Sequence, residues 1–259
     1  MGELWFVGAG LGDERDVPER AIELLRHCEV VFAEEYTSVL APGSLDRLSA
    51  KLGTPIRVLT RPEVESGDRV LDALGPSRRV GLVVAGDPFV ATTHVALRIA
   101  VERAGHRWEY VPGPSIGTAA ISLLGLMHYR FGRTVSLPFV DPGFDPVSPF
   151  EAIGKNRRSG LHTLLLLDLR PSEHRFLTAP EALARFSGER AASAGLEDDS
   201  ELGIVARVGR ADAGAWWGSR KELAGVEFGP PLHALVVPGP ELHFEETAAV
   251  DRWRVAPRI

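Results

Sequence analysis

Three short apolar segments in the first half of the sequence each run into a loop of glycine and proline. The loops comprise residues 8–12, 86–88 and 112–115. A helical pattern follows each loop, so the segments are predicted to be buried strands that end in tight turns. In an open α/β sheet, the loops that leave the carboxyl ends of the strands meet along one edge, where ligands bind. The sequence therefore predicts a cleft in which a flat, polar cofactor lies against backbone.

Strand and helix patterns alternate through the whole first half of the chain. With short connections, this alternation predicts a parallel or mostly parallel sheet covered by helices. The predicted strands are 4–8, 29–33, 56–59, 80–84 and 108–111, and the predicted helices are near 17–27, 44–51, 65–74 and 93–104. The Pro112–Pro114 segment interrupts the alternation and predicts a boundary between an N-terminal lobe, 1–113, and a C-terminal lobe, 114–259.

The second half has a less regular pattern, which predicts a mixed sheet with fewer helices. Ser115 is a suitable N-cap for a helix over 116–126. Prolines in 137–149 predict a long loop without regular structure, and such loops are often functional. The remaining predictions are strands at 133–137, 163–169, 203–208, 233–237 and 253–255, a helix at 179–185 and a polar surface loop at 191–200.

Composition and charge exclude several classes of protein. The 259 residues carry a net charge of −6 with scattered arginines, which disfavours a nucleic-acid partner. No apolar run approaches the ~20 residues of a membrane-spanning helix, so we expect a soluble, cytoplasmic protein without a membrane partner. The lone Cys28, predicted to be buried, excludes an internal disulfide framework, and the histidines lack the spacing typical of a metal site.

Individual motifs leave their roles open. The Gly8–Gly12 loop departs from the dinucleotide fingerprint because its sixth position is Asp13, so a tight turn and a ligand contact are both consistent with it. Asp87 follows a strand, where it could bond a ribose hydroxyl or an amine. Thr92, Thr93 and His94 lie at the start of the next predicted helix. Capping of that helix by a threonine is the simpler interpretation of this segment, and a catalytic role for His94 is the alternative. His233 begins an apolar strand, from which it could face a cleft.

Seven segments together resemble the diphthine synthase family, within the tetrapyrrole-methylase-like superfamily of S-adenosylmethionine-dependent methyltransferases. The Gly86–Pro88 element is shared with the superfamily, whereas the Glu35–Ser38, Val90–His94 and Leu161–Leu165 elements are similar to diphthine synthases in particular. The segments keep the family's order and span almost the whole chain: 6–16, 33–38, 86–94, 114–116, 125–132, 160–168 and 230–239.

The resemblance implies a two-lobed α/β fold, with the methyl donor in a cleft between the lobes, and a homodimer. The expected first sheet is mostly parallel and the expected second sheet is mixed. By motif, the residues expected to contact S-adenosylmethionine are Leu11, Asp87, Val90, Ser115, Ile116, Leu167, Val208 and His233.

The resemblance further implies methyl transfer to the amino group of a modified histidine on translation elongation factor 2. The sulfonium methyl is already activated, so this chemistry requires alignment and a neutral amine rather than a metal. Something must accept a proton from the amine, and the sequence does not identify that base. Acidic residues such as Asp13, Glu14 and Glu34 are expected to favour the cationic donor.

Two alternatives remain at this stage. A related methyltransferase could act on a tetrapyrrole or on a ribosomal RNA ribose, although the RNA enzyme should have a basic face that this chain lacks. A donor-binding protein without catalysis would retain affinity for the donor but transfer no methyl group.

Overall fold

The computed structural model describes residues 1–255 and divides them into two compact units. The first unit consists mainly of Met1–Ile116, with the short segments Pro171–Glu173 and Gly209–Ala211 added to it. The second unit contains Gly117–Arg170, His174–Val208 and the described residues from Asp212 onward. No helix in this part of the chain is long and apolar enough to cross a membrane.

The first unit is built on a five-stranded sheet that is parallel throughout. Its strand order is β3-β2-β4-β1-β5, as the alternation of strands and helices predicted. Its elements are β1 (Glu3–Gly8), α1 (Glu19–Leu25), β2 (Val30–Glu34), α2 (Ser44–Leu52), β3 (Ile56–Leu59), α3 (Arg61–Ser66), α4 (Asp68–Ala73), β4 (Arg79–Val84), α5 (Val95–Arg103) and β5 (Arg107–Val111).

Both faces of this sheet are buried. Successive side chains of a strand point to opposite faces, so Phe6 and Leu82 pack with α3, α4 and α5. Val7 and Val83 pack on the other side with residues of α1 and α2. Two covered faces explain why the inner strands β1, β2 and β4 are nearly continuous apolar runs in the sequence. The carboxyl ends of the strands consequently carry the loops that are free to form a site.

The second unit is built on a mixed five-stranded sheet. Its order is β11-β10-β12-β7-β6, with β6 and β7 parallel and the other pairs antiparallel. The elements are α6 (Ile116–Leu124), β6 (Val135–Leu137), α7 (Ser148–Arg158), β7 (Thr163–Leu167), β8 (Leu169–Arg170), β9 (Arg175–Phe176), α8 (Ala179–Arg185), α9 (Gly188–Ala194), β10 (Glu201–Ala206), β11 (Gly214–Ser219), α10 (Arg220–Leu223), β12 (His233–Val237) and α11 (Phe244–Val250).

Several predictions for local structure were wrong. The helix predicted at 65–74 is two short helices, because Gly67 adopts a φ of 76° between them. The predicted loop at 191–200 begins with the last turn of α9, in which Ala191 and Ala194 are buried. The strand predicted at 253–255 is a 3-10 turn, Asp251–Trp253, followed by one bridge between Trp217 and Arg254.

The second unit also has more helices than the pattern predicted. Within the described residues it contains six helices, against five in the first unit. Helix α7 begins at the end of the proline-rich segment, with Pro149 in its first turn, where the missing amide of a proline costs nothing. The predicted strands do not include β11, which contains Trp216 and Trp217. Trp217 is fully buried within that strand.

A buried ionic network ties the C-terminal helix of the second unit to two of the family-like segments. The Glu246 carboxylate, fully buried in α11, accepts hydrogen bonds from Arg130 and from the Met127 amide. It lies 3.1 Å from Nε2 of the buried His162, whose Nδ1 accepts a hydrogen bond from the Gly239 amide. His162 therefore has a structural role.

We expect this network to make the protein less stable in mild acid. Burial lowers the pKa of His162 below its ordinary 6.5, although Glu246 opposes the shift. Below pH 6.5 the unfolded chain then binds more protons than the folded one, so stability falls as pH falls from neutral through that value. Each histidine with a lowered pKa in the folded state reduces the free energy of unfolding by up to ~1.4 kcal/mol for each unit by which the pH falls. Urea unfolding at about pH 7.5 and 5.5 measures the slope.

Replacing His162 tests its share of this pH dependence. A His162→Gln variant should show a shallower slope, while replacement of the exposed His27 with Gln should leave the slope unchanged. Equal stability of the wild-type protein at the two pH values would contradict the assignment.

Candidate functional site

The three glycine loops of the first unit pack against one another through their backbones. A Cβ atom on Gly8 would lie 2.3 Å from the Gly113 nitrogen and 2.8 Å from the Gly86 oxygen. A Cβ atom on Gly113 would lie 2.3 Å from the same Gly86 oxygen. These distances exclude any side chain at Gly8 or Gly113. The turns after β1, β4 and β5 therefore form one continuous backbone surface, which we call the glycine rim.

Backbone hydrogen bonds fix two of these turns to each other. Gly10 and Gly86 have φ values of 74° and 77°, in the left-handed region that glycine adopts without strain. The Gly86 amide donates to the Gly10 oxygen at 2.6 Å, and the reverse bond is 3.4 Å long. The half-buried Leu11 lies beside this pair, since its Cδ2 would be 4.0 Å from a Cβ on Gly86.

The Asp87 carboxylate joins the second turn to the third. Oδ1 accepts a hydrogen bond of 2.9 Å from the Phe89 amide, and Oδ2 accepts one from the Tyr110 hydroxyl. The Gly113 amide also points at Oδ2, 3.4 Å away. Asp87 is 7% exposed, so these contacts satisfy a buried charge. Burial and this carboxylate together raise the pKa of Tyr110 to about 12, which keeps its hydroxyl protonated as the donor.

The other predicted donor contacts of the first unit lie on the same loops. Val90 follows Asp87 in its turn and is 48% exposed, while Ser115 and Ile116 are half-buried at the end of the third loop. All five predicted contacts of the first unit therefore lie in the loops of the glycine rim or within two residues of them. The structure brings them to the edge of the sheet that the sequence indicated.

The remaining predicted contacts, Leu167, Val208 and His233, share one edge of the second sheet. Leu167 ends β7, and His233 begins the antiparallel neighbour β12. Ala206, the last residue of β10, pairs with His233, and Val208 follows two residues later. The register of three strands thus gathers positions that are far apart in the sequence.

His233 has an unused hydrogen-bond donor. Its Nδ1 accepts a hydrogen bond of 3.1 Å from the Ala179 amide, so the proton of the neutral ring is on Nε2. Nε2 is buried without a hydrogen-bond partner in the described protein. Burial and the nearby Arg207 lower the pKa of His233, so the ring is neutral at physiological pH. An unpaired buried N–H is costly, and a ligand oxygen or nitrogen would remove that cost.

Arg207, which the sequence did not suggest, supports this edge. It is a non-glycine residue with a φ of 48°, and its side chain is only 8% exposed. The guanidinium donates to the Phe228 and Pro230 oxygens and pairs with Asp212 at 2.6 Å. It thereby fixes the segment that leads into His233.

The acidic residues expected to attract a cationic donor are already paired. Asp13 bonds Arg15, which lowers the pKa of that carboxyl to about 2, and Glu14 forms an ion pair of 3.0 Å with Arg47. Glu34 is buried and accepts hydrogen bonds from Tyr36 and Thr37. The ion pairs of Asp13 and Glu14 and the burial of Glu34 therefore leave none of the three carboxylates as an exposed, unpaired negative charge.

Comparison with known proteins decides the family. Residues 3–224 match the family described as tetrapyrrole (corrin/porphyrin) methylases. The chain belongs to the tetrapyrrole methylase family. It is an S-adenosylmethionine-dependent methyltransferase.

Individual relatives within the tetrapyrrole methylases are similar over nearly the full length. A diphthine synthase of Methanococcus maripaludis strain S2 is 35% identical over 250 residues, covering 95% of this chain and 97% of the relative. One from Methanothermobacter thermautotrophicus is 36% identical, covering 98% and 97%. A crystal structure of diphthine synthase superposes with a TM-score of 0.87 at 32% identity, covering 98% of this chain and 97% of the other.

Each unit, taken by itself, has groups that fit the methyl donor chemically. The glycine rim presents backbone that no Cβ atom shields, which suits close approach by a polar ligand. The orphaned Nε2–H of His233 can donate to an acceptor atom of the ligand. When bound, S-adenosylmethionine supplies an electrophilic methyl group. The residues of this chain bind and orient it.

Proposed function

We propose that this tetrapyrrole methylase has diphthine synthase activity. It transfers methyl groups from S-adenosylmethionine to the amino group of the modified histidine of translation elongation factor 2. Its relatives of that name, which match 95–98% of the chain at 34–36% identity, are the observation that carries this proposal. A translation factor as acceptor places the enzyme in the cytoplasm.

The donor contacts are part of the proposal. Leu11, Asp87, Val90, Ser115 and Ile116 of the first unit and Leu167, Val208 and His233 of the second contact the donor. The glycine rim and the free N–H of His233 support these assignments. Because the groups that hold the rim are backbone atoms and buried side chains, they are positioned before the donor arrives. Positioning of this kind can supply much of a rate acceleration.

A folded protein is the expected acceptor because the second unit exposes an apolar loop. Val140, Phe144 and Val147, which lie between β6 and α7, are 47%, 52% and 51% exposed. Ion pairs of Asp141 with Arg170 and of Asp145 with Arg190 hold this loop in place. Neighbouring exposed apolar residues on a fixed loop are typical of a surface that contacts another protein. The net charge of −6 argues against RNA as the acceptor.

We also propose a homodimer held largely by apolar contacts in and near the first unit. Val58 and Val95 of that unit are each more than 40% exposed. Light scattering at micromolar concentration should report twice the mass of the chain, 28.1 kDa. A measured mass of one chain at that concentration would contradict the proposed homodimer but would not affect the proposed methyltransferase activity.

Transfer of a labelled methyl group tests the activity. The enzyme is incubated with labelled donor and either elongation factor 2 that carries the unmethylated precursor or factor that lacks the precursor. Label should enter only the first protein. Label in neither protein, with donor affinity retained, would indicate a binding protein without catalysis.

A further inference from the structure

A second buried cluster lies on the first unit beside the glycine rim. It comprises Glu34 at the end of β2, Tyr36 in the loop that follows, and His94 at the start of α5. Glu34 and His94 are each only 1% exposed, whereas Tyr36 is half-buried. The cluster therefore meets solvent only through Tyr36. Its residues belong to the family-like segments Ala33–Ser38 and Gly86–His94. The proposed donor contacts include neither Tyr36 nor His94, so donor binding does not explain these two residues.

Hydrogen bonds determine which nitrogen of His94 carries the proton. Nδ1 lies 2.8 Å from the Pro88 oxygen, and a carbonyl only accepts, so Nδ1 carries the hydrogen. In the neutral ring Nε2 is then an acceptor, and it lies 3.1 Å from the Tyr36 hydroxyl. The hydroxyl consequently donates to His94. The partner carbonyl belongs to the Gly86–Pro88 turn, directly after Asp87.

The groups around the cluster place a carboxylate beside His94 and disfavour a charge on Tyr36. Oε1 of Glu34 lies 3.7 Å from Nε2 of His94, so a protonated imidazole would face a carboxylate. Burial and Glu34 raise the pKa of Tyr36 to about 12. A hydrogen bond from Thr93 and the charge of Arg61 oppose that shift, while Glu65 adds to it. Tyr36 therefore stays neutral, and it can pass a proton on only by receiving another.

We propose that Tyr36 and His94 form a proton relay that takes the proton from the acceptor amine, with Glu34 stabilising the protonated His94. This inference rests on the proposed methyl transfer and supplies the base that the sequence did not identify. Tyr36 is the catalytic residue that touches the amine, and His94 and Glu34 act through it.

The relay consists of two coupled proton transfers, whose net result is that one proton moves from the acceptor amine to His94. The protonated acceptor amine gives an N–H proton to the Tyr36 oxygen while the Tyr36 hydroxyl proton goes to Nε2 of His94, which leaves a neutral amine with a free electron pair. The electron pair left on nitrogen forms the bond to the methyl carbon, and the pair of the breaking C–S bond goes to sulfur. His94 then carries protons on both nitrogens and returns one to solvent through Tyr36 after the transfer.

The tautomer of His94 can be measured without any substrate. Nitrogen NMR of the labelled, ligand-free protein should show that the neutral form of the His94 ring carries its hydrogen on Nδ1. A hydrogen on Nε2 would overturn the relay, because Tyr36 would then have no acceptor.

The pH profile of Tyr36→Phe tests the relay in the reaction. Single-turnover methyl transfer at neutral pH should fall by ~10²-fold, the usual contribution of a general base. Donor affinity by calorimetry should stay within about twofold. The deficit should shrink as pH rises, because the amine then loses its proton to solvent. A His94→Gln variant should show the same signature, which covers the case in which Tyr36→Phe folds poorly.

Tyr129→Phe is the matched control. Its side chain is 78% exposed and bonds Met127, so its transfer rate should not change at any pH. Wild-type rates for both Tyr36→Phe and His94→Gln, or a deficit that is constant with pH, would overturn the relay. If the wild-type enzyme methylates no elongation factor, the proposed function itself fails, and the relay fails with it.

Discussion

Gly113→Ala should weaken binding of S-adenosylmethionine by at least ~10-fold. The new Cβ atom would lie 2.3 Å from the Gly86 oxygen and 2.8 Å from the Gly8 Cα, so the three turns of the glycine rim must separate. Forced displacement of well-packed groups costs about 1–3 kcal/mol, and here the displaced groups are the backbone proposed to contact the donor. Calorimetric titration with the donor measures the loss.

Gly75→Ala is the matched control for this substitution. Gly75 lies in the same unit, and the nearest atoms to its added Cβ belong to the flexible Arg78 side chain, 3.2 Å away. Its donor affinity should match that of the wild-type protein. Wild-type affinity in a folded Gly113→Ala protein would show that the rim is not the donor site.

Asp87→Ala should weaken donor binding by more than it destabilises the fold. The carboxylate accepts hydrogen bonds from the Phe89 amide and the Tyr110 hydroxyl, so its removal leaves two buried donors unpaired and frees the turn. The loss of such bonds typically costs about 1–3 kcal/mol, which corresponds to roughly 5- to 150-fold in affinity. Calorimetry gives the affinity, and urea unfolding gives the change in stability.

Two further variants separate the contributions at Asp87. Tyr110→Phe removes one of the hydrogen bonds and keeps the carboxylate, so its effect on affinity should be smaller. Asp72→Ala removes an exposed negative charge from the same unit and should have no effect. Unchanged affinity in folded Asp87→Ala protein would count decisively against the placement of Asp87 in the donor site.

The first unit was largely predictable because its signals are local. Buried parallel strands such as Val80–Val84 are continuous apolar runs, and glycine marks the turns that follow β1, β4 and β5. The exceptions have local causes as well. The apolar spacing continues through α3 and α4, but Gly67 between them adopts a left-handed φ. The spacing of apolar residues carries no information about that backbone angle.

The second unit was less predictable because its order depends on distant contacts. Strand β11 becomes a strand by pairing with β10, whose Glu201 also accepts a hydrogen bond from the Trp217 indole. Helix α9 begins at a glycine, and its buried alanines carry a weak apolar signal. The start of α7 was predicted as loop because the prolines of 137–149 were expected to prevent regular structure. Pro149 is nevertheless compatible with the first turn of a helix.

Part of the site could be located from the sequence, but its contacts could not. The glycine loops indicated the edge of the first sheet at which the glycine rim lies. The bond from Tyr110 to Asp87 joins residues 23 positions apart, and the one from Tyr36 to His94 spans 58 positions. The support that Arg207 gives to the edge containing His233 likewise depends on strand register. Such pairings follow from the fold and leave no signal in local periodicity.

The most direct test of the proposed activity is a competition between acceptors. The enzyme receives limiting S-adenosylmethionine together with elongation factor 2 carrying the precursor, a tetrapyrrole and ribosomal RNA, and mass spectrometry locates the methyl groups. We predict added methyl groups on the amino group of the one modified histidine, and none on factor without the precursor. Faster methylation of the tetrapyrrole or of the RNA would contradict the proposed function.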